Sequence, residues 1–164
     1  MVLVRATALD DWQAMRDIRL EGLRDAPDAF GSTYARDAAF EPAEWHRRAT
    51  RDGSFFAFIP GLAEPAGLAG GYEEEPGVVE LISMFVRPVA RGHGVGEALV
   101  DTVVAWAKDK GAASVHLWVT ESNQPAVRLY ERCGFTVTPE RQPLPSSPAL
   151  GEVGMTRPLW TRTP

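Results

Sequence analysis

Cysteine is almost missing from this chain. Cys133 stands alone, so no internal disulfide can form, and a cytoplasmic protein is the expectation. Lysine is nearly as scarce: Lys108 and Lys110 are the only two among 17 basic residues, a skew that reads as genome composition and carries no functional conclusion. Acidic residues outnumber basic ones, 22 to 17, for a net charge of −5, and nucleic acid is therefore not an expected partner, because phosphate-backbone binders carry a basic face. No apolar run approaches the roughly 20 residues that cross a bilayer, so no membrane partner is expected. "MVLVRATALDDW" lacks a basic segment followed by an apolar one, and no export signal is visible. The three histidines do not cluster with the cysteine, so no metal site is expected. Internal repeats and low-complexity tracts are likewise missing.

What remains is ordinary globular material. The chain is 164 residues long with 45% hydrophobic content, which suits one domain with a sizeable core. "MVLVRAT" reads as a first strand. "LDDWQAMRDIRLEGLRDA" reads as a helix, with Trp12, Met15, Ile18 and Leu23 at helical spacings and Asp10 or Asp11 as N-cap. "PDAFGSTYARDAAF" reads as a loop, and "EPAEWHRRAT" as a short helix with Pro42 in its first turn. "SFFAFIP", "AGLAGGYEEE" and "VVELISMFV" read as three strands, the last two joined by a turn at "EEPG". A helix from Val95 to Lys110 follows, then "SVHLWVT" as a strand apolar enough on both faces for a central place. "NQPAVRLYERCGF" is a further helix with Gly134 as its left-handed cap, and "FTVTPE" and "EVGMTRPL" close the chain around a proline-rich connection. The sum is a mixed α/β domain spanning 1–164.

The unusual stretch is Arg91-Gly92-His93-Gly94-Val95-Gly96, three glycines where a helix begins. The first turn of a helix offers unpaired N–H groups and the positive end of the dipole. Glycine lets an anion come close to that backbone, so the turn is a candidate cradle for a phosphate or pyrophosphate, with Arg91 and His93 at its rim. Glu97 occupies the place of the last glycine of a dinucleotide loop, and no Lys-Ser or Lys-Thr follows as in a Walker A loop. Alone, the cluster is also readable as a tight turn packing a helix on a sheet.

"RGHGVG", following "ISMFVRP" and preceding an amphipathic helix, is joined some 30 residues later by "NQPAVRLYERCGF". In that order and at that separation the two motifs resemble the GNAT superfamily of acetyl-CoA-dependent N-acetyltransferases, most strongly over about 78–138. "IRLEGLRDAPDAFGSTYA" also resembles a stretch of bacterial members. The resemblance implies a central, mostly antiparallel sheet of six to seven strands with a splayed parallel pair, flanked by about four helices. It implies acetyl-CoA as co-substrate, its pyrophosphate resting on the main chain of Arg91, Gly92, His93, Gly94, Val95 and Gly96. Met84, Phe85 and Val86 would pair with the pantetheine arm as with an extra strand, and an N–H there would stabilise the oxyanion. Asn123 matches an Asn that touches the pantetheine; a helix cap is its other role, and the two are not exclusive. Tyr130 matches the Tyr that protonates the departing thiolate, with a core Tyr as the alternative.

A primary ammonium must lose a proton before it can attack a thioester, which calls for a base. Glu80, 11 residues before Arg91, stands where several members carry a glutamate base; the alternative is an edge residue facing solvent. His116 reads as a hydrogen-bonded residue of the central strand, and His46 as solvated. Without a His beside Cys133, direct transfer in a ternary complex is favoured over an acyl-cysteine route. Asp25, Asp28, Asp37 and Glu73–Glu75 would make the acceptor mouth negative, unless they are ordinary solvated surface. The acceptor, a small-molecule or peptide amine, stays open, as does a homodimer. The competing expectations are a non-catalytic acyl-CoA-binding module and a nucleotide-binding regulatory domain.

Overall fold

The computed structural model describes residues 1–159. Seven strands form one sheet: β1 (Leu3–Ala6), β2 (Ser54–Phe58), β3 (Gly67–Glu75), β4 (Val78–Val86), β5 (Ser114–Thr120), β6 (Thr136–Leu144) and β7 (Ser147–Pro158), in the order β1-β2-β3-β4-β5-β7-β6. Neighbours run antiparallel except β4 and β5, which are parallel. Five α-helices accompany the sheet: α1 (Trp12–Asp25), α2 (Tyr34–Ala38), α3 (Pro42–Thr50), α4 (Val95–Asp109) and α5 (Gln124–Arg132).

The period-2 alternation of the strands divides two cores between the faces of the sheet. Phe55, Ala57 and Ala69 join Val95, Leu99 and Val103 of α4 in one core. Phe56 and Leu68 join Met15 and Ile18 of α1 and Trp45 of α3 in the other. Helices thus cover both faces. No helix among the described residues is long and apolar enough to cross a membrane.

Three local expectations need correction. Residues 34–38 form a helical turn inside the expected loop, because Thr33 accepts a hydrogen bond from the N–H of Arg36 at 3.2 Å. Asp11 does occupy the N-cap of α1, but its carboxylate accepts from the N–H of Ala8 at 2.8 Å and binds Arg5, leaving the first turn of α1 uncapped by a side chain. The proline-rich connection is a hairpin. Pro143 and Pro148 lie in β6 and β7, and β6 is an edge strand, where a missing N–H costs nothing if it faces outward. The hairpin tip folds back on the loop after α1, the Ser146 hydroxyl donating to the carbonyl of Phe30 at 2.6 Å.

Candidate active site

Pairing between β4 and β5 covers Val78–Ser114, Val79–Val115 and Glu80–His116 and then stops. From Leu81 to Val86, β4 has no partner on that side. The expected splay is present, and it leaves the main chain of Met84, Phe85 and Val86 along an open edge. A bulge sharpens it: Leu68 pairs with Phe85 but Gly70 pairs with Ile82, so β4 has one residue too many. Ser83 sits in that bulge at φ 59°, a left-handed conformation that a serine adopts only under constraint. The constraint comes from buried Arg19, which donates to the Ser83 hydroxyl at 3.2 Å and binds fully buried Asp37 at 3.0 Å.

The glycine turn lies beyond the open end of β4. Gly92 and Gly94 have φ of 81° and 78°, and Gly94 is the N-cap of α4. The first intrahelical bond runs from Ala98 N–H to Gly94 C=O, so the N–H groups of Val95, Gly96 and Glu97 have no helical acceptor. Gly96 has a different reason to be glycine: a Cβ there would stand 2.9 Å from Leu129 of α5. The three glycines therefore divide their work, two shaping the turn and one letting two helices close on each other. A cavity of about 510 Å³ opens here, lined by Val86, Arg91, Gly92, Gly94, Val95 and Gly96 and, from α5, by Ala126 and Leu129. His93 is exposed and is not part of that lining. The Arg91 guanidinium is already held by Asp25 at 2.8 Å, so the cradle is mainly backbone.

A second, larger cavity of about 730 Å³ receives Glu80, together with Tyr72, Ser83, Trp118 and Glu152. Glu80 is buried, against the alternative of a solvent-facing edge residue, because β3 and β5 flank it. Tyr72 faces it from β3 and donates its phenolic hydrogen to Oε2 at 2.5 Å. Lost solvation, then the Glu80 hydrogen bond, holds the Tyr72 phenol well above its ordinary range. His116 flanks Glu80 on the other side. Neither of its buried ring nitrogens makes a hydrogen bond among the described residues, Nε2 lying 3.6 Å from the Glu140 carboxylate, which corrects the expectation of a hydrogen-bonded histidine. Glu74, Glu80 and His116 each bring one donor atom within 4.8 Å of the others, the spacing of a cation site or of groups that share a proton.

Two further expected residues belong to α5 and its N-cap. Tyr130 is buried against Phe135, ring centroids 6.1 Å apart, and lines neither cavity; burial raises its phenol far above the usual value. Asn123 caps α5, accepting from the N–H of Ala126 at 3.3 Å, and lines neither cavity. Of the acids expected at the mouth, Glu74 stands beside Glu80 and His116, while others are engaged elsewhere. Asp37 is paired inside, Asp25 holds Arg91, and the larger cavity is walled by arginines from α2 and α3. Sequence reasoning missed the pairing of Tyr72 with Glu80, the Ser83 bulge and that basic wall. Register from the Pro76–Gly77 turn alone sets Glu73 opposite Glu80; a bulge between Glu73 and Glu75 shifts the pairing by one residue and brings Tyr72 there.

A sheet split between two parallel strands, with a glycine-capped helix at its open end and a buried carboxylate at its base, defines an N-acetyltransferase architecture. The acetyltransferase (GNAT) family model matches residues 12–135, and the chain belongs to that family, whose common chemistry is acetyl transfer from acetyl-CoA. A mycothiol acetyltransferase from Salinispora arenicola is 39% identical over 124 residues, which is 66% of this chain and 40% of that one. The chain spans less than half the length of the curated relatives it matches. Among solved structures, a GCN5-related N-acetyltransferase from Kribbella flavida is 28% identical with a TM-score of 0.73, covering 96% of this chain and 98% of that one. The fold is also that of a putative acetyltransferase from Salmonella typhimurium solved with its cofactor acetyl-CoA, 19% identical with a TM-score of 0.78, covering 100% of this chain and 97% of that one.

Proposed function

We propose that this protein transfers the acetyl group of acetyl-CoA directly to a primary amine in a ternary complex. The observation that carries the reading is where β4–β5 pairing ends. Glu80 is its last paired residue on β4, and the open edge runs from there to the glycine turn. The diphosphate lies on the N–H groups of residues 92–96, at the positive end of the α4 dipole. The pantetheine arm follows the free edge of Met84, Phe85 and Val86, which brings the thioester toward Glu80. There Glu80 takes a proton from the acceptor ammonium. At pH 7 that removal costs roughly 4–5 kcal/mol for an amine of pKa about 10.4. Tyr72, bonded to one carboxylate oxygen, leaves the other free to accept it. The nitrogen lone pair attacks the carbonyl carbon, the oxyanion is stabilised by a main-chain N–H of the bulged strand, and the C–S bond breaks as the carbonyl re-forms, the nitrogen releasing its second proton to solvent, from which Tyr130 is afterwards reprotonated. Tyr130 protonates the departing thiolate, which requires its hydroxyl to reach the split from the core side. Cys133 is no carrier of the acetyl group: it is buried, and burial raises its thiol, which disfavours the nucleophilic thiolate.

Release of free CoA from acetyl-CoA with a panel of amines tests this. Amine-dependent release supports transfer. Stabilisation of the protein by ATP and not by acetyl-CoA in a thermal-shift comparison would replace it with the nucleotide-binding reading.

A further inference from the structure

The wall of the larger cavity facing the sheet carries five arginines, Arg19, Arg36, Arg47, Arg48 and Arg51, in a chain whose overall charge is −5. Two carboxylates partner them. Asp37 binds Arg19, and Glu44 is shared by Arg47 and Arg48, the latter at 3.0 Å. Arg36 and Arg51 have no carboxylate partner among the described residues. Arg51, just beyond α3, lies across β3, its Nη2 only 3.0 Å from where a Cβ on Gly70 would stand, so the bare backbone of Gly70 is what admits the guanidinium. Arg51 is exposed at the cavity mouth, and partial desolvation of its guanidinium together with the neighbouring cations Arg48 and Arg19 disfavours its charge. A guanidinium held among like charges in a cavity is a binding point waiting for an anion, and its planar fork matches a carboxylate or phosphoryl group. The opposite side is acidic, with buried Glu80 and Glu152. Gly70 and Tyr72 are two residues apart on β3, about 7 Å, so the basic and acidic points fall within one small molecule. A cavity of about 730 Å³ is of small-ligand size.

We infer that the acceptor is a small amine bearing an oxyanion, its carboxylate or phosphoryl group gripped by Arg51 and Arg36 while its amino group faces Glu80. The inference rests on the acceptor cavity assigned above, and names Arg51 as its specificity-determining residue.

The test uses matched amines with and without the anion: ethanolamine against O-phosphoethanolamine, and 4-aminobutyramide against 4-aminobutyrate. Binding to the CoA-loaded protein is measured by calorimetry, and acetylation separately. The anionic member of at least one pair is expected to bind tenfold tighter or better, and Arg51→Met to erase that preference while Arg51→Lys restores part of it. Salt at 0.5 M should narrow the gap, as charge screening requires. Equal binding within both pairs overturns the inference, as does a preference that Arg51→Met leaves intact. Acetylation without anion preference overturns it while leaving the transferase reading standing. Anion-selective binding that Arg51→Met abolishes, without acetylation of any amine, keeps the anion site at Arg51 but overturns its ligand as an acetyl acceptor, together with the transferase reading.

Discussion

Replacing Glu80 with glutamine separates proton acceptance from geometry. The Tyr72 hydroxyl can donate to a glutamine oxygen as it does to Oε2, and the side chain keeps its length between β3 and β5, so the site is expected to stay assembled. What disappears is the proton acceptor. An amine of pKa about 10.4 is neutral in roughly one molecule in 2,500 at pH 7, a cost of about 4.6 kcal/mol that solution must then supply. General-base removal is typically worth 10²–10⁴-fold, so Glu80→Gln is expected to lose about that much in kcat/KM at pH 7. The deficit is pH-dependent: as neutral amine becomes ten times commoner per unit, variant kcat/KM should climb about tenfold from pH 7 to 8 and again from 8 to 9. The assay is CoA release at subsaturating amine from pH 6 to 9, with the acetyl-CoA dissociation constant measured alongside. A constant ratio of wild type to variant across that range refutes the base role, and so does a loss that lies wholly in acetyl-CoA affinity.

Other outcomes follow from the same geometry. Tyr130→Phe is expected to lower turnover with little change in acetyl-CoA affinity; collapse of affinity with turnover per bound cofactor preserved makes the residue structural. Gly94→Ala places a Cβ at φ 78° with only ordinary contacts around it, so its cost is conformational, about 1–2 kcal/mol in a denaturant melt, accompanied by weaker acetyl-CoA binding. On the alkaline side, folding lifts the phenols of Tyr72 and Tyr130 above their unfolded values, so the native state keeps protons that the unfolded chain releases. Stability should therefore be intact below pH about 10 and fall as pH rises beyond it. In a Tyr34→Phe background the folded protein should show little phenolate absorbance at pH 11, and early phenolate signal would contradict the burial assignment.

Elements with strong periodicity are legible in the amino-acid order alone. α4 carries Leu99 and Val103 on one stripe, and β2 to β5 are short apolar runs bounded by turn residues, so their types and order read directly. The glycine turn is legible as a break in helix chemistry, although the absent side chain of Gly96 also makes room for Leu129. Glu80 stands out because it interrupts an apolar run. Tertiary pairings are hidden. Nothing local to Arg19, Asp37 or Ser83 announces that they meet, because the three come together only when α1 and α2 pack on β4. The charge of the larger cavity's wall is hidden for a related reason: acids and arginines are interspersed along residues 36–51, and packing alone decides which are neutralised. The two-sided apolar look of β5 misleads in a smaller way. Val115, Leu117 and Val119 are buried in the core, while His116 and Trp118 face the other side only half buried, Trp118 at the large cavity.

Acetyl-CoA grip by the main chain at the head of α4 is the claim on which the rest depends, and a structure of the complex tests it most directly. The diphosphate should lie within hydrogen-bond distance of N–H groups between Gly92 and Gly96, with the pantetheine along Met84–Val86. A well-ordered CoA whose diphosphate lies away from that turn, or no binding at millimolar ligand, would contradict the account.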